Sequence, residues 1–304
     1  MPVTGYFFVM DGLRFESQAI LLATSLRRQM GPKTPIIAYV SEPKLAEITR
    51  VTRHVLRNRN VEIRALSVEG AGWATPYPHG NKILAACARR EGWDVSVFLD
   101  TDTVCLAPMD FSDCAEAPCL AAVPEGVPTW GRNIEDWEAA YASLGLAVPE
   151  ARVRLTRGRN RRMPPYFNAG LVAFKEEATE GGARFPEVWL ETARHLDHDT
   201  AIAEKRPWLD QISLPIAMAR MGARMIVKPE SYNYSLYRRD ADQSAAQIHL
   251  AHYHMPAVFR QWQPCREIIQ HAYTACPPKL RRNLGYRLGS FLKPDQENAA
   301  TAAE

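Results

Sequence analysis

A Rossmann-like α/β fold with a mostly parallel central sheet follows from three features of this 304-residue chain. Short apolar runs alternate with amphipathic stretches through the first third of the sequence, as parallel strands joined by crossover helices require. No Gly/Ser-rich or Pro-rich linker interrupts residues 1–278, so they read as one domain. The apolar run 95–99 (VSVFL) leads directly into Asp100-Thr101-Asp102. That places acidic groups outside the carboxyl end of a strand, where open α/β sheets bind their ligands.

The elements follow in order. Residues 6–10 (YFFVM) form a buried first strand, and 17–29 carry Ile20, Leu21, Ala23, Thr24 and Leu26 at helical spacing. Gly31-Pro32 ends that helix, and 35–40 (PIIAYV) is the second strand. Pro43 suits the first turn of a helix that reaches about residue 56. A shorter strand at 61–66, a helix at 81–90 and the central strand at 95–99 complete this half. The second half is less regular. Residues 126–165 form a polar insertion rich in Gly, Pro and Arg, with one helix at 134–144. Its stretch 152–162 (RVRLTRGRNRR) holds six arginines, either a solvated surface or a loop facing an acceptor or a phosphate. Strand character resumes at 167–174, helices follow at 185–196 and 210–221, and a late strand at 223–227. A last strand at 248–254 would carry Ile248, Leu250, His252 and His254 on one face.

Composition narrows the class. With 46% hydrophobic and 23% charged residues, the chain has ample material for a core. A net charge of +3 gives no argument for nucleic acid. No stretch is long enough to span a bilayer, and the apolar opening lacks the basic start and cleavage site of a signal peptide. Six cysteines without a CxxC pair predict reduced thiols in a cytoplasmic protein, with Cys114 and Cys119 in packing roles.

The chemistry centres on Asp100 and Asp102. Carboxylates spaced i, i+2 on extended backbone point to the same side and can share one divalent cation. Their repulsion is costly without one, and hard oxygen ligands suit Mg²⁺ or Mn²⁺. A solvated strand end is the plain alternative.

Further patterns fall in a fixed order: Lys82 on a helix, the aspartate pair, Phe167-Asn168-Ala169-Gly170, Leu209-Asp210-Gln211, and a strand bearing His252 and His254. That order resembles the GT-A nucleotide-sugar glycosyltransferases, most closely glycosyltransferase family 8, over residues 5–262. The resemblance implies a Rossmann-like α/β/α sandwich with a smaller antiparallel element. It also implies Mn²⁺ (or Mg²⁺) held by Asp100, Asp102 and a late histidine, a UDP-sugar donor, a carbohydrate or glycolipid acceptor, and transfer with retention. Lys82 would meet a phosphate, and Thr101 belongs to the same donor-binding turn. Asn168 would hydrogen-bond sugar hydroxyls, with Gly170 allowing close backbone approach; a strand start with a turn residue is the plain reading. Asp210 and Gln211 are the candidates for contact with the reacting centre, unless Asp210 is only a helix N-cap.

The family's His-Phe-x-Gly-x-x-Lys-Pro-Trp aligns with residues 254–262. On that register His254 is the metal ligand, Arg260 replaces a phosphate-binding lysine and Trp262 is kept, while Ala257 and Gln261 depart from the pattern. A register starting at His252 loses Arg260 and Trp262, and either histidine could reach the cation. Asp11, after the first strand, matches the turn that contacts uracil and ribose, or simply forms a turn.

The tail 279–293 (KLRRNLGYRLGSFLK) interleaves basic residues with Leu284, Tyr286, Leu288, Phe291 and Leu292. It suits peripheral contact with the inner face of a membrane, or a helix packed on the domain. Residues 296–304 read as disordered. Three rival functions stay open. One is an inverting transferase with Asp210 as general base, and another is a non-catalytic nucleotide-sugar binding protein. The third, a nucleotidyltransferase, wants a glycine-rich loop after the first strand, which MDGLRF does not supply.

Overall fold

The computed structural model describes residues 2–116, 118–157, 161–177, 182–239 and 247–292. The chain runs β1 (Thr4–Val9), α1 (Glu16–Met30), β2 (Ile36–Ser41), α2 (Arg50–Asn58), β3 (Val61–Leu66), α3 (Asn81–Cys87) and β4 (Val95–Leu99). It continues through β5 (Thr103–Cys105), β6 (Cys119–Pro124), α4 (Ile134–Ala142), β7 (Val153–Arg154), β8 (Arg162–Met163), β9 (Phe167–Lys175), α5 (Phe185–His198) and α6 (Leu209–Met221). Then come β10 (Arg224–Val227), β11 (Tyr234–Ser235), β12 (Leu250–His252), α7 (Pro256–Gln261), α8 (Gln263–Thr274), α9 (Arg281–Arg287) and α10 (Gly289–Leu292).

Among the described residues the main sheet has seven strands in the order β10-β6-β9-β4-β1-β2-β3. The pairs β1–β2, β1–β4, β2–β3 and β6–β10 are parallel, and β9 runs antiparallel between β4 and β6. A small sheet, β11-β12-β5, contains one antiparallel pair, β12–β5. This is the mostly parallel α/β architecture that the alternating pattern predicts. Strands β2, β4 and β6 are buried throughout, as continuous apolar runs must be when both sheet faces are covered. Alternation along β1 sends Tyr6 and Phe8 into one core layer with Leu22 and Val97. Phe7 enters the opposite layer with Phe98, Phe174 and Trp189.

Two expectations change, the helix from Pro43 and the strand 248–254, and two segments gain detail. The helix expected from Pro43 is a 3₁₀ turn (Glu42–Glu47), and α2 begins only at Arg50. Glu16 explains the break: its buried carboxylate accepts from the Thr49 amide and from the hydroxyls of Thr49 and Thr52, which fixes the start of α2 there. The polar insertion 126–165 carries its expected helix, α4, and buried side chains besides. Trp130, Trp137, Tyr141, Leu155 and Tyr166 close an aromatic core of their own against α6. The expected strand 248–254 is confined to Leu250–His252. Of the two readings of the tail, its described residues follow the packed one. Leu284, Leu288 and Phe291 pack with Ile20 of α1 and Ile268 of α8, so its apolar face is already covered. Residues 296–304 lie outside the described residues.

The cysteines are free, and Cys119 Sγ donates to the Cys114 carbonyl at 3.2 Å. No helix of the described residues is long and apolar enough to cross a membrane.

One ionic cluster is structural. Glu176, at the end of β9, takes both Arg90 (3.1 Å) and Arg184, and all three side chains are nearly excluded from solvent. Removing the carboxylate strands two buried guanidinium groups. Glu176→Ala should therefore cost about 3–5 kcal/mol in urea unfolding. A loss below about 1 kcal/mol would mean that the cluster behaves as a solvated surface pair.

Candidate active site

The carboxyl ends of the adjacent strands β1 and β4 open into a cleft of about 850 Å³, lined by Asp11, Lys82, Asp100, Thr101, Asp102 and His254 among others. That volume is of the size that holds an organic ligand. Strand β4 stops at Leu99, so Asp100-Thr101-Asp102 is a turn that carries the chain from the large sheet into β5 of the small one. Both Asp100 and Asp102 line the cleft, but from a turn and not from the extended backbone expected. The turn is pinned by Asp100 N to the Gly170 carbonyl (2.9 Å), Tyr253 N to the Asp102 carbonyl (3.1 Å) and Thr101 Oγ1 to Gln18 Oε1 (2.9 Å). Its two carboxylates consequently meet different partners.

Asp100 meets Lys82. The lysine, on α3, is buried with Nζ 3.0 Å from Asp100, 2.9 Å from Asp210 and 3.2 Å from the Ala169 carbonyl. Burial alone would lower its pKa, but the two carboxylates win and raise it above the ordinary lysine value, so the charge is kept. Asp210 lies in the first turn of α6, whose N-cap position belongs to Trp208. It is not the helix cap of the plain reading. Its carboxylate accepts from the Tyr77 hydroxyl at 3.0 Å. Burial and the Asp210 charge push the Tyr77 phenol up, which keeps it a donor. Beside it, Gln211 Oε1 is buried without a hydrogen-bond partner among the described residues.

Asp102 meets both histidines. Its Oδ1 lies 3.2 Å from His252 Nε2 and its Oδ2 lies 3.9 Å from His254 Nδ1. The rings are 3.9 Å apart between centroids. Two rings this close do not both become imidazolium. Burial opposes protonation of His252, but Asp102 outweighs it and raises that ring. Burial and the neighbouring His252 push His254 down to about 3. The carboxylate oxygen and the two ring nitrogens form a group whose ligand atoms lie within 4.8 Å of one another. A carboxylate with two imidazoles is a donor set that fits a divalent transition metal.

A chain of amides holds this arrangement. Glu125, buried just past β6, accepts from Asn168 Nδ2 at 2.9 Å. Asn168 Oδ1 accepts from the Gly170 amide (2.9 Å) and from Asn233 Nδ2 (2.8 Å). Asn233 Oδ1 lies 3.0 Å from His252 Nδ1. Donation toward the Glu125 carboxylate fixes each amide in turn, so Asn233 presents an acceptor and His252 carries its proton on Nδ1. Nε2 is left facing Asp102.

Asp11 reaches the cleft from the turn after β1, accepting from the Ser41 hydroxyl, Lys44 (3.0 Å) and Asn81 (3.0 Å). Arg260 does not reach it. Its guanidinium donates to the Ser290 carbonyl in α10, because 256–261 forms a helix that packs into the C-terminal layer. From the arginine-rich stretch, Arg157 lies over Gly126, and its charge helps to lower the His254 pKa. Tyr77, Glu125, Asn233 and Ser235 are the site residues that sequence reasoning missed. A proline-flanked aromatic just ahead of Lys82 was a usable signal for Tyr77; the other three stand in no motif.

A family model, the Rhodobacterales glycosyltransferase domain, matches residues 6–222. The chain belongs to this glycosyltransferase family. Solved structures similar to this chain include the apo WbbM bifunctional glycosyltransferase, with 14% identity and a TM-score of 0.56 over 94% of this chain and 52% of that one. Mouse xyloside xylosyltransferase 1, also apo, is similar at 12% identity and a TM-score of 0.53, over 82% of this chain and 97% of that one. The chain thus spans about half the length of WbbM. No curated protein sequence matches it. The fold is that of the GT-A nucleotide-sugar glycosyltransferases.

Gly170 sits where these groups close on the backbone. A Cβ there would lie 2.7 Å from Asn168 Oδ1, 3.0 Å from His252 Cε1 and 3.2 Å from Asp100 Oδ2. Gly170→Ala should therefore destabilise the protein by about 1–3 kcal/mol on urea unfolding, as overpacking does. Gly289→Ala, which meets open space at the start of α10, should cost nothing. Equal effects of the two would mean that the site is not tightly closed around Gly170.

Proposed function

We propose that this glycosyltransferase is metal-dependent and moves a sugar from a UDP-sugar to a hydroxyl of a carbohydrate or glycolipid acceptor, with retention at the anomeric carbon. The observation that carries this reading is the convergence of Asp102, His252 and His254 in the cleft that also holds Lys82. A divalent cation there, Mn²⁺ or Mg²⁺, would neutralise charge developing on the diphosphate leaving group. Asp102 and the histidines are the donors already gathered for it, and Asp100 is a further carboxylate on the same turn.

The chain's own groups divide the remaining work. Lys82, kept charged by its two carboxylates, is the fixed cation for a phosphate. Asp11, from the turn matched to the one that contacts uracil and ribose, and its partner Asn81 would meet the uridine, with Thr101 on the donor-binding turn. Gln211 Oε1, unpartnered among the described residues, and the second N–H of Asn168, whose Oδ1 is already occupied, would serve the sugar hydroxyls. Asp210 already accepts from Tyr77 and pairs with Lys82, which suits electrostatic stabilisation of the reacting centre better than removal of an acceptor proton. That favours retention over an inverting general base. Membrane contact, if the acceptor is a lipid, rests on the exposed rim of Arg282, Tyr286 and Leu292, since the rest of the tail's apolar face is buried.

Two measurements test this reading. UDP with Mn²⁺ should raise the melting temperature of the wild type by linkage, and Asp102→Asn should abolish the metal-dependent part of that rise. No Mn²⁺-dependent shift in the wild type would overturn metal dependence. Asp210→Asn should bind UDP-sugar nearly as well as wild type, with kcat reduced about a hundredfold or more. Wild-type turnover would return Asp210 to a structural role.

A further inference from the structure

We infer that His252 and His254 both ligate the cation beside Asp102, so that the centre offers two imidazoles where the family resemblance implies one. This rests on the metal-dependent reading above and goes beyond it in naming the ligand set and the class of cation it prefers.

Three observations converge. Each oxygen of the Asp102 carboxylate faces one ring, Oδ1 toward His252 Nε2 and Oδ2 toward His254 Nδ1. The two rings thus approach one carboxylate through opposite nitrogens. In each ring the far nitrogen is held by a side-chain oxygen: His252 Nδ1 at 3.0 Å from Asn233 Oδ1, and His254 Nε2 at 3.0 Å from Ser235 Oγ. Metal-binding histidines are oriented in this way, with the non-ligating nitrogen hydrogen-bonded and the other left free. A single stabilising His–Asp pair would need only one ring so held.

The backbone supplies the third observation. His254 has φ of 57°, and the Met255 amide donates back to the Tyr253 carbonyl across it. That is a γ-turn of the rare, strained hand. Continued strand geometry would leave residues 252 and 254 separated by about two strand rises, roughly 7 Å. The turn instead folds the second ring to 3.9 Å from the first. Such backbone persists where surrounding structure over-determines it, commonly at ligand sites.

Asp100, by contrast, stands outside the convergent group, with its carboxylate on Lys82 at 3.0 and 3.4 Å. The second histidine takes the place that a second carboxylate would fill. Two nitrogens and one oxygen favour later first-row cations, in the order Mg²⁺ < Mn²⁺ < Co²⁺.

The test uses the full chain with UDP present. Electron spin echo spectroscopy of bound Mn²⁺ should show two coordinated imidazole nitrogens. Calorimetric titration should rank Co²⁺ above Mn²⁺ and Mn²⁺ above Mg²⁺. His252→Ala and His254→Ala should each weaken Mn²⁺ binding about tenfold or more and leave one nitrogen in the spectrum. A single nitrogen in the wild type, or wild-type Mn²⁺ affinity in either folded variant, overturns the two-histidine set while metal dependence stands. Should a variant fail to fold, the wild-type nitrogen count decides alone. Absence of binding by every cation overturns this inference and the metal-dependent reading together.

Discussion

Lys82 carries a buried positive charge, and three distant segments of the chain meet to satisfy it. An ammonium removed from water costs several kcal/mol unless carboxylates and hydrogen-bond acceptors surround it. Asp100 from the turn after β4, Asp210 from the start of α6 and the Ala169 carbonyl of β9 supply them. Each contact fixes a different element: α3 against β4, α6 against α3, and β9 against both. The pairing also decides what remains for chemistry. With Asp100 engaged by Lys82, Asp102 is the carboxylate of the turn that turns toward the histidines.

The small sheet acquires its purpose from that division. Strand β12 pairs with β5 so that His252 stands opposite Thr103, one residue after Asp102. Tyr253 then donates its amide to the Asp102 carbonyl. Two strands of three residues each would be a weak element alone. Here they register a histidine against an aspartate about 150 positions earlier in the chain. The chain from Glu125 through Asn168 and Asn233 sets which nitrogen His252 presents, so the large sheet orients a ring that the small sheet only positions.

How much of this was legible in the sequence depended on the range of the interaction. Asp100 and Asp102 were found because they follow an apolar strand, and Asn168 and Asp210 because their motifs resemble those of the glycosyltransferase family. The geometry was not legible. Strand periodicity put Asp100 and Asp102 on one side; both do line the cleft, but from a turn between two sheets that gives them different nearest partners. Periodicity also put His252 and His254 on one face, and they do converge, but through a left-handed turn at His254 that no local residue pattern announces. Glu125, Asn233 and Ser235 draw their meaning from contacts across the fold and stand in no motif. Periodicity identified the apolar face of the tail without saying what covers it. The C-terminal core covers Leu284, Leu288 and Phe291.

Arg260 shows the limit of carrying a motif across by alignment. Its position matched a phosphate-binding lysine, yet the preceding residues form α7, which turns its guanidinium onto the last described helix. An arginine whose charge does reach His254 is Arg157, from the stretch read as either solvated surface or a loop facing an acceptor or a phosphate. It gets there because the aromatic core of 126–165 folds that segment back onto Gly126, through the hydrogen bonds Thr156 N to Glu125 O and Arg157 N to Gly126 O. The same Glu125 anchors the amide chain that ends at His252. The insertion is therefore coupled to the site by backbone and by side chain at one residue.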